Sequence, residues 1–154
     1  MSLRAVVALA TVALSLTACA DTTAEHGARQ AMSTFTCCTG HDVNRVYHPG
    51  DLVTIHWIRE TSDAVAPSTA TPLTLTAHLD GAFAGVAQAK APAARGTDRI
   101  TASPVQVTDR TLKAPVSLLR IPAEAAPGLY NLTTKVAKPG GWVSGGSIIR
   151  VTAR

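Results

Sequence analysis

The chain has 154 residues, of which 46% are apolar, 16% charged and 4% aromatic, with a formal net charge of +4. That is the length of one domain, and the balance excludes both a disordered chain and a multipass membrane protein. The charges are dispersed, with no run of four like-signed residues, so the patch or stripe of a nucleic-acid footprint is missing.

Met1-Ser2-Leu3-Arg4 supplies one positive charge, and Ala5 to Leu16 is an uncharged stretch of 12 residues. The length fits a signal-peptide apolar region of about 7–15 residues and falls short of the roughly 20 residues that span a bilayer. With Arg4 alone and no arginine pair, export by the Sec route is expected. The next four residues, Leu16-Thr17-Ala18-Cys19, have the order aliphatic, small, small, cysteine. This resembles the lipobox of bacterial lipoproteins at all four positions. The resemblance implies that residues 1–18 are removed, that the Cys19 sulfur is lipidated, and that the protein is held on the extracytoplasmic face of the cell membrane by its acyl chains. Two or more chains at about 0.8 kcal/mol per buried methylene give a stable anchor. Losing Arg4 leaves 13 basic against 10 acidic residues, a mature charge of +3. Residues 19–32, small and polar without apolar periodicity, read as a flexible tether.

From residue 33 to 154, short β-rich runs alternate with proline and glycine, as in an all-β sandwich or barrel. A first strand is expected near Ser33 to Cys38. After the turn His48-Pro49-Gly50-Asp51, Val53, Ile55 and Trp57 alternate with Thr54, His56 and Ile58, which puts Trp57 on a buried face. Leu73, Leu75, Ala77 and Leu79 alternate with Thr74, Thr76 and His78, so His78 is expected in solvent, and Asp80-Gly81 reads as a hairpin turn. The stretch from Ala82 to Ala94 is rich in alanine, but Gly85 and Pro92 interrupt it and no helix is expected. Ile100 to Val107 is an edge or bulged strand because of Pro104. Val116 to Ile121 and Leu129 to Val136 follow, then a turn region at Pro139-Gly140-Gly141 and a last strand from Ser147 to Thr152.

Seven short strands, an early inward Trp57 and Tyr130 at the head of the penultimate strand resemble an immunoglobulin-like or fibronectin-like antiparallel β-sandwich. The residues that carry the resemblance are Pro49-Gly50-Asp51 through Trp57, and Ile121-Pro122 through Pro127-Gly128-Leu129-Tyr130. The inter-sheet disulfide of antibody domains is absent.

Cys37 and Cys38 are the two cysteines left after lipidation, and they are adjacent. Neighbours in a strand point to opposite faces, which leaves open one buried and one exposed thiol, a vicinal or intermolecular disulfide, a metal site, or redox chemistry. The metal alternative, zinc or copper, joins Cys37, Cys38, His41 and His48, two thiols and two imidazoles within 12 residues. A thioredoxin-like site would need C-x-x-C, which is missing. Ser144 in Gly141-Trp142-Val143-Ser144-Gly145-Gly146 superficially resembles a protease nucleophile segment, but the G-x-S-x-G elbow is absent. The three glutamates at 25, 60 and 124 are too scattered to pair as acid and base. Trp142 and Ser144 fall in a glycine-rich loop, where Trp142 either contacts a ligand or folds over the core edge; this loop and the His41 to Asp51 loop are the candidate binding sites. The expectation is therefore a lipid-anchored envelope protein with a binding or structural role, not an enzyme and without a cofactor. Its partner is an envelope protein or a small ligand; metal binding and thiol redox are the alternatives.

Overall fold

The computed structural model describes residues 31–65, 69–91 and 98–154. The expectations for the leader, Cys19 and most of the tether lie outside these residues. The described chain is mostly β-strand, as expected of an all-β protein, with two short helices.

In order the elements are β1 (Ala31–Thr36), α1 (Gly40–Asn44), β2 (Val46–Tyr47), β3 (Leu52–His56), β4 (Ile58–Val65), β5 (Pro72–Phe83), α2 (Val86–Ala89), β6 (Asp98–Thr101), β7 (Val105–Thr108), β8 (Val116–Arg120), β9 (Gly128–Lys138) and β10 (Gly141–Val151). A six-stranded sheet runs β2-β10-β9-β5-β6, with β7 also on β5, and curls into a half-barrel. Two ribbons, β1-β4 and β3-β8, complete the pairing.

The expected run at Val53 to Trp57 continues past Trp57 as β4. At that residue the strand changes partner: residues 52–56 pair with β8, whereas residues 58–65 pair with β1. Trp57 itself donates its backbone N–H to the Pro115 carbonyl. Val53, Ile55, Trp57, Leu73, Leu75, Ala77 and Leu79 are buried as their alternation predicts, and they join Phe35, Tyr47, Leu119, Tyr130, Leu132, Ile149 and Val151 in one core cluster. The run from Ile100 to Val107 divides around Pro104 into β6 and β7, both lying along β5 at the sheet edge.

Five expectations are corrected. Asp80-Gly81 is not a turn: β5 runs on to Phe83, with a bulge against β9 between Asp80 and Phe83. Gly81 is needed there because a Cβ at this position would run into the Tyr130 ring. Gly81→Ala is accordingly expected to cost about 1–3 kcal/mol, read as a lowered midpoint in urea denaturation. His78 is not in open solvent; its imidazole is half-buried, 3.3 Å from Asp80, whose carboxylate takes a two-pronged hydrogen bond from Arg99. Burial pushes the His78 imidazole down more than Asp80 pulls it up. The glycine-rich segment 141–146 is not a loop but the first half of β10, paired residue for residue with β9 across a Pro139-Gly140 turn. Finally, the stretch from His41 to Asp51 holds α1 and β2, and the one-turn helix α2 interrupts Ala82 to Ala94.

The chain turns into β9 through Ala126-Pro127-Gly128, and the Tyr130 hydroxyl donates back to the Ala126 carbonyl at 2.8 Å. At the far edge β2 lies parallel to the end of β10, with Val46 opposite Arg150 and Tyr47 opposite Val151.

Candidate functional site

The β9–β10 hairpin reaches past the core toward β1, and the two leave a cleft of about 370 Å³ between them. Met32, Phe35, Leu73, Val136 and Val143 give it apolar walls, and Asp109 and Lys138 are its ionisable residues. A smaller hollow of about 220 Å³ shares Phe35, Val136 and Val143 and continues to Cys37 and Trp57. A wider hollow beside Ala126, Pro127 and Arg150, of about 620 Å³, has Arg150 as the one charged residue in its lining.

Asp109 follows directly on β7, and its position is fixed by pairing with the chain on two sides. Its backbone N–H donates to the Thr71 carbonyl, its carbonyl accepts from Ser33 N–H at 2.7 Å, and its Oδ1 accepts from Thr71 N–H at 2.9 Å. The residue is 2% exposed, and Oδ2 has no hydrogen-bond partner among the described residues. A buried carboxylate oxygen without a donor is costly, and the cleft itself, apolar-walled with few ionisable residues, suits a ligand with an apolar body.

The residues singled out from the sequence are not assembled into one site. Cys37 and Cys38, just after β1, are bonded to each other, both half-exposed and packed against the core. His48 donates from Nδ1 to the Thr152 carbonyl at 3.0 Å, and His41 is exposed on α1. Among the described residues no group of three His, Cys, Asp or Glu is placed to hold a metal, and the set Cys37, Cys38, His41 and His48 is not brought together as one. The cause is that strand pairing commits His48 to the C-terminal segment. Trp142 neither folds over the core nor sits in a loop: it stands on β10, 61% exposed, with the Lys135 ammonium 4.9 Å from its ring centre. Ser144 lies two residues along, at the rim of the smaller hollow.

One arrangement was not anticipated. Asp42, on α1, is buried and bonded through both oxygens: Oδ1 accepts from His56 Nδ1 at 2.7 Å, and Oδ2 accepts from the backbone N–H groups of His56 and Thr39. Burial pushes the Asp42 carboxyl up, but these hydrogen bonds outweigh it and hold it below the usual carboxylate value. The pair resembles the orienting half of a nucleophilic triad. Among the described residues, however, no hydroxyl or thiol bonds to the second His56 nitrogen, and what the pair does is join α1 to the end of β3. The spacing Thr39-x-x-Asp42 is a capping-box pattern that marks the start of α1 in the sequence.

No family model and no curated protein matches the chain.

Proposed function

We propose that this is a lipid-anchored envelope protein whose immunoglobulin-like domain binds a small apolar ligand, or an apolar side chain of a partner, without catalysing a reaction. The observation that carries the binding role is the apolar-walled cleft between β1 and the β9–β10 hairpin. The anchor rests on Leu16-Thr17-Ala18-Cys19 behind its 12-residue apolar run. The sandwich reading is supported by the Tyr130 hydroxyl bonded back to Ala126 at the entry to the penultimate strand, the tyrosine corner of such domains. It is supported too by the strand that changes partner at Trp57, joining the β1 and β8 ribbons.

The experiment is a native intact mass of the protein extracted from its own membranes in mild detergent. The expected mass is a chain starting at Cys19 plus acyl groups, with a co-purifying small ligand. A ligand-free wild-type protein would end the binding role. Cys19→Ser is expected to move the protein from the membrane fraction to the soluble one, and a variant that still sediments wholly with membranes would end the anchor.

A thiol-redox role is the second reading. It is favoured by the bonded, half-exposed Cys37–Cys38 pair at the end of the smaller hollow. Two thiols that a mild dithiol reductant uncovers in the folded protein, and that an alkylating reagent then labels, are its expected signature; a pair inert to both excludes it.

A further inference from the structure

The outer half of the β9–β10 hairpin is the most exposed apolar structure of the described residues apart from Leu112. Trp142 is 61% and Val143 65% exposed, and every residue from 138 to 146 except those two is polar, small or proline. Trp142 shares its face with Lys135, while Val143 lies opposite Val136 on the cleft side, with Lys138 at the turn. Charge here is one-sided. Residues 125–154 contain no Asp or Glu and carry Lys135, Lys138, Arg150 and Arg154.

The first described strand begins beside the same hairpin. Met32, at the start of β1, lines the same cleft as Lys138, Pro139 and Val143. Residues 20–31 lie between it and Cys19, a covalent reach of at most about 45 Å. An anchor at Cys19 therefore keeps this side of the domain within reach of the headgroups, where even a weak contact is populated because it is intramolecular.

From the exposed tryptophan, the two lysines, the missing acids and the start of β1 beside them, we propose that the tip of the β9–β10 hairpin docks on the anionic surface of the bilayer that holds the anchor. The inference rests on the lipid-anchor reading. Trp142 lies at headgroup depth, where an amphipathic indole is favoured, and Val143 enters beside it. Lys135 and Lys138 extend their stems along the tip and present their ammonium groups to lipid phosphates. The docked hairpin holds the cleft mouth toward the membrane, so its ligand is met at the surface rather than in bulk solution.

The test uses the full lipidated protein in vesicles of equal parts phosphatidylcholine and phosphatidylglycerol, with tryptophan emission as the readout. Trp57 is buried in the core, so Trp142 supplies the responsive signal. The expected result is a blue shift, with quenching by a headgroup-level spin-labelled lipid that Trp142→Ser abolishes. Lys135→Ala and Lys138→Ala are each expected to lower the ratio of docked to undocked hairpin about fivefold, and phosphatidylcholine alone should weaken docking similarly. An acylated protein whose Trp142 keeps its water-exposed emission and escapes the quencher overturns the docking while leaving the anchor intact. Emission that follows protein density and ignores lipid composition assigns the tip to a second copy and likewise overturns it. A mass without acyl groups removes the anchor reading, and quenching in the same vesicles then decides the hairpin by itself.

Discussion

Trp57→Ala is expected to lower stability by about 3–5 kcal/mol, a large share of the roughly 5–15 kcal/mol that holds a domain of this size together. Trp57 is the largest fully buried side chain and sits where one strand passes from β8 to β1, so its loss opens a cavity at the junction of both ribbons. Its indole N–H donates to the buried Ser117 hydroxyl at 2.9 Å. Ser117→Ala alone leaves that N–H unpaired and is expected to cost about 1–3 kcal/mol. Trp57→Phe combined with Ser117→Ala should cost less than the two single changes together, because the pair is removed as a unit. Urea denaturation followed by near-ultraviolet circular dichroism measures all four proteins. Additive costs would show that the indole–hydroxyl bond contributes nothing of its own.

The second large effect is at Asp42. Asp42→Ala strips an acceptor from the backbone N–H groups of Thr39 and His56 and from the His56 ring, and is expected to cost about 2–4 kcal/mol at neutral pH. The carboxyl is held below its ordinary value of 3.8 in the folded chain. The folded state therefore takes up this proton less readily than the unfolded state. Its contribution is fully present above pH 3.8 and is lost as pH falls through the lower folded value. The stability gap between wild type and Asp42→Ala should be constant from neutral pH down to about pH 3.8, close as pH falls from there to the lower folded value, and stay closed below it. A gap that stays open in acid would mean that shape, not charge, is what α1 needs from this residue.

How much of this was legible in the sequence follows from how far apart the cooperating residues lie. Val53 to Trp57 and Leu73 to Leu79 each bury one face of a strand, so period-two alternation states their orientation directly. The 141–146 segment has no such imprint. Glycine and serine there resemble a loop, and what makes the segment a strand is its backbone register with residues 133–138. Asp80-Gly81 carries a real turn signal; the ring of Tyr130, 49 positions on, uses the glycine for a bulge instead. The cleft was invisible for the same reason. Asp109 read as part of a connecting segment, and nothing local announces that its carboxylate is bonded to Thr71, 38 positions earlier. Only α1 was missed despite a local cue, the Thr39-x-x-Asp42 pattern, because a five-residue helix is too short for periodicity to register.

The parallel contact of β2 with the end of β10 bears on when the chain can fold. Ile149 and Val151 complete the core, and Thr152 receives the His48 imidazole and donates its N–H to the Tyr47 carbonyl. Thr152, just past the partner of β2, thus lies 104 positions along the chain from His48. Until the end of β10 is in place, the segment around Val46 and Tyr47 has no strand to lie on, and the central sheet lacks one whole strand of its hydrophobic face. Among the described strands this is the pairing that spans the longest stretch of chain, so closing that edge of the sheet carries the largest loop-closure cost and couples the order of β2 to the end of β10 rather than to its neighbours in sequence.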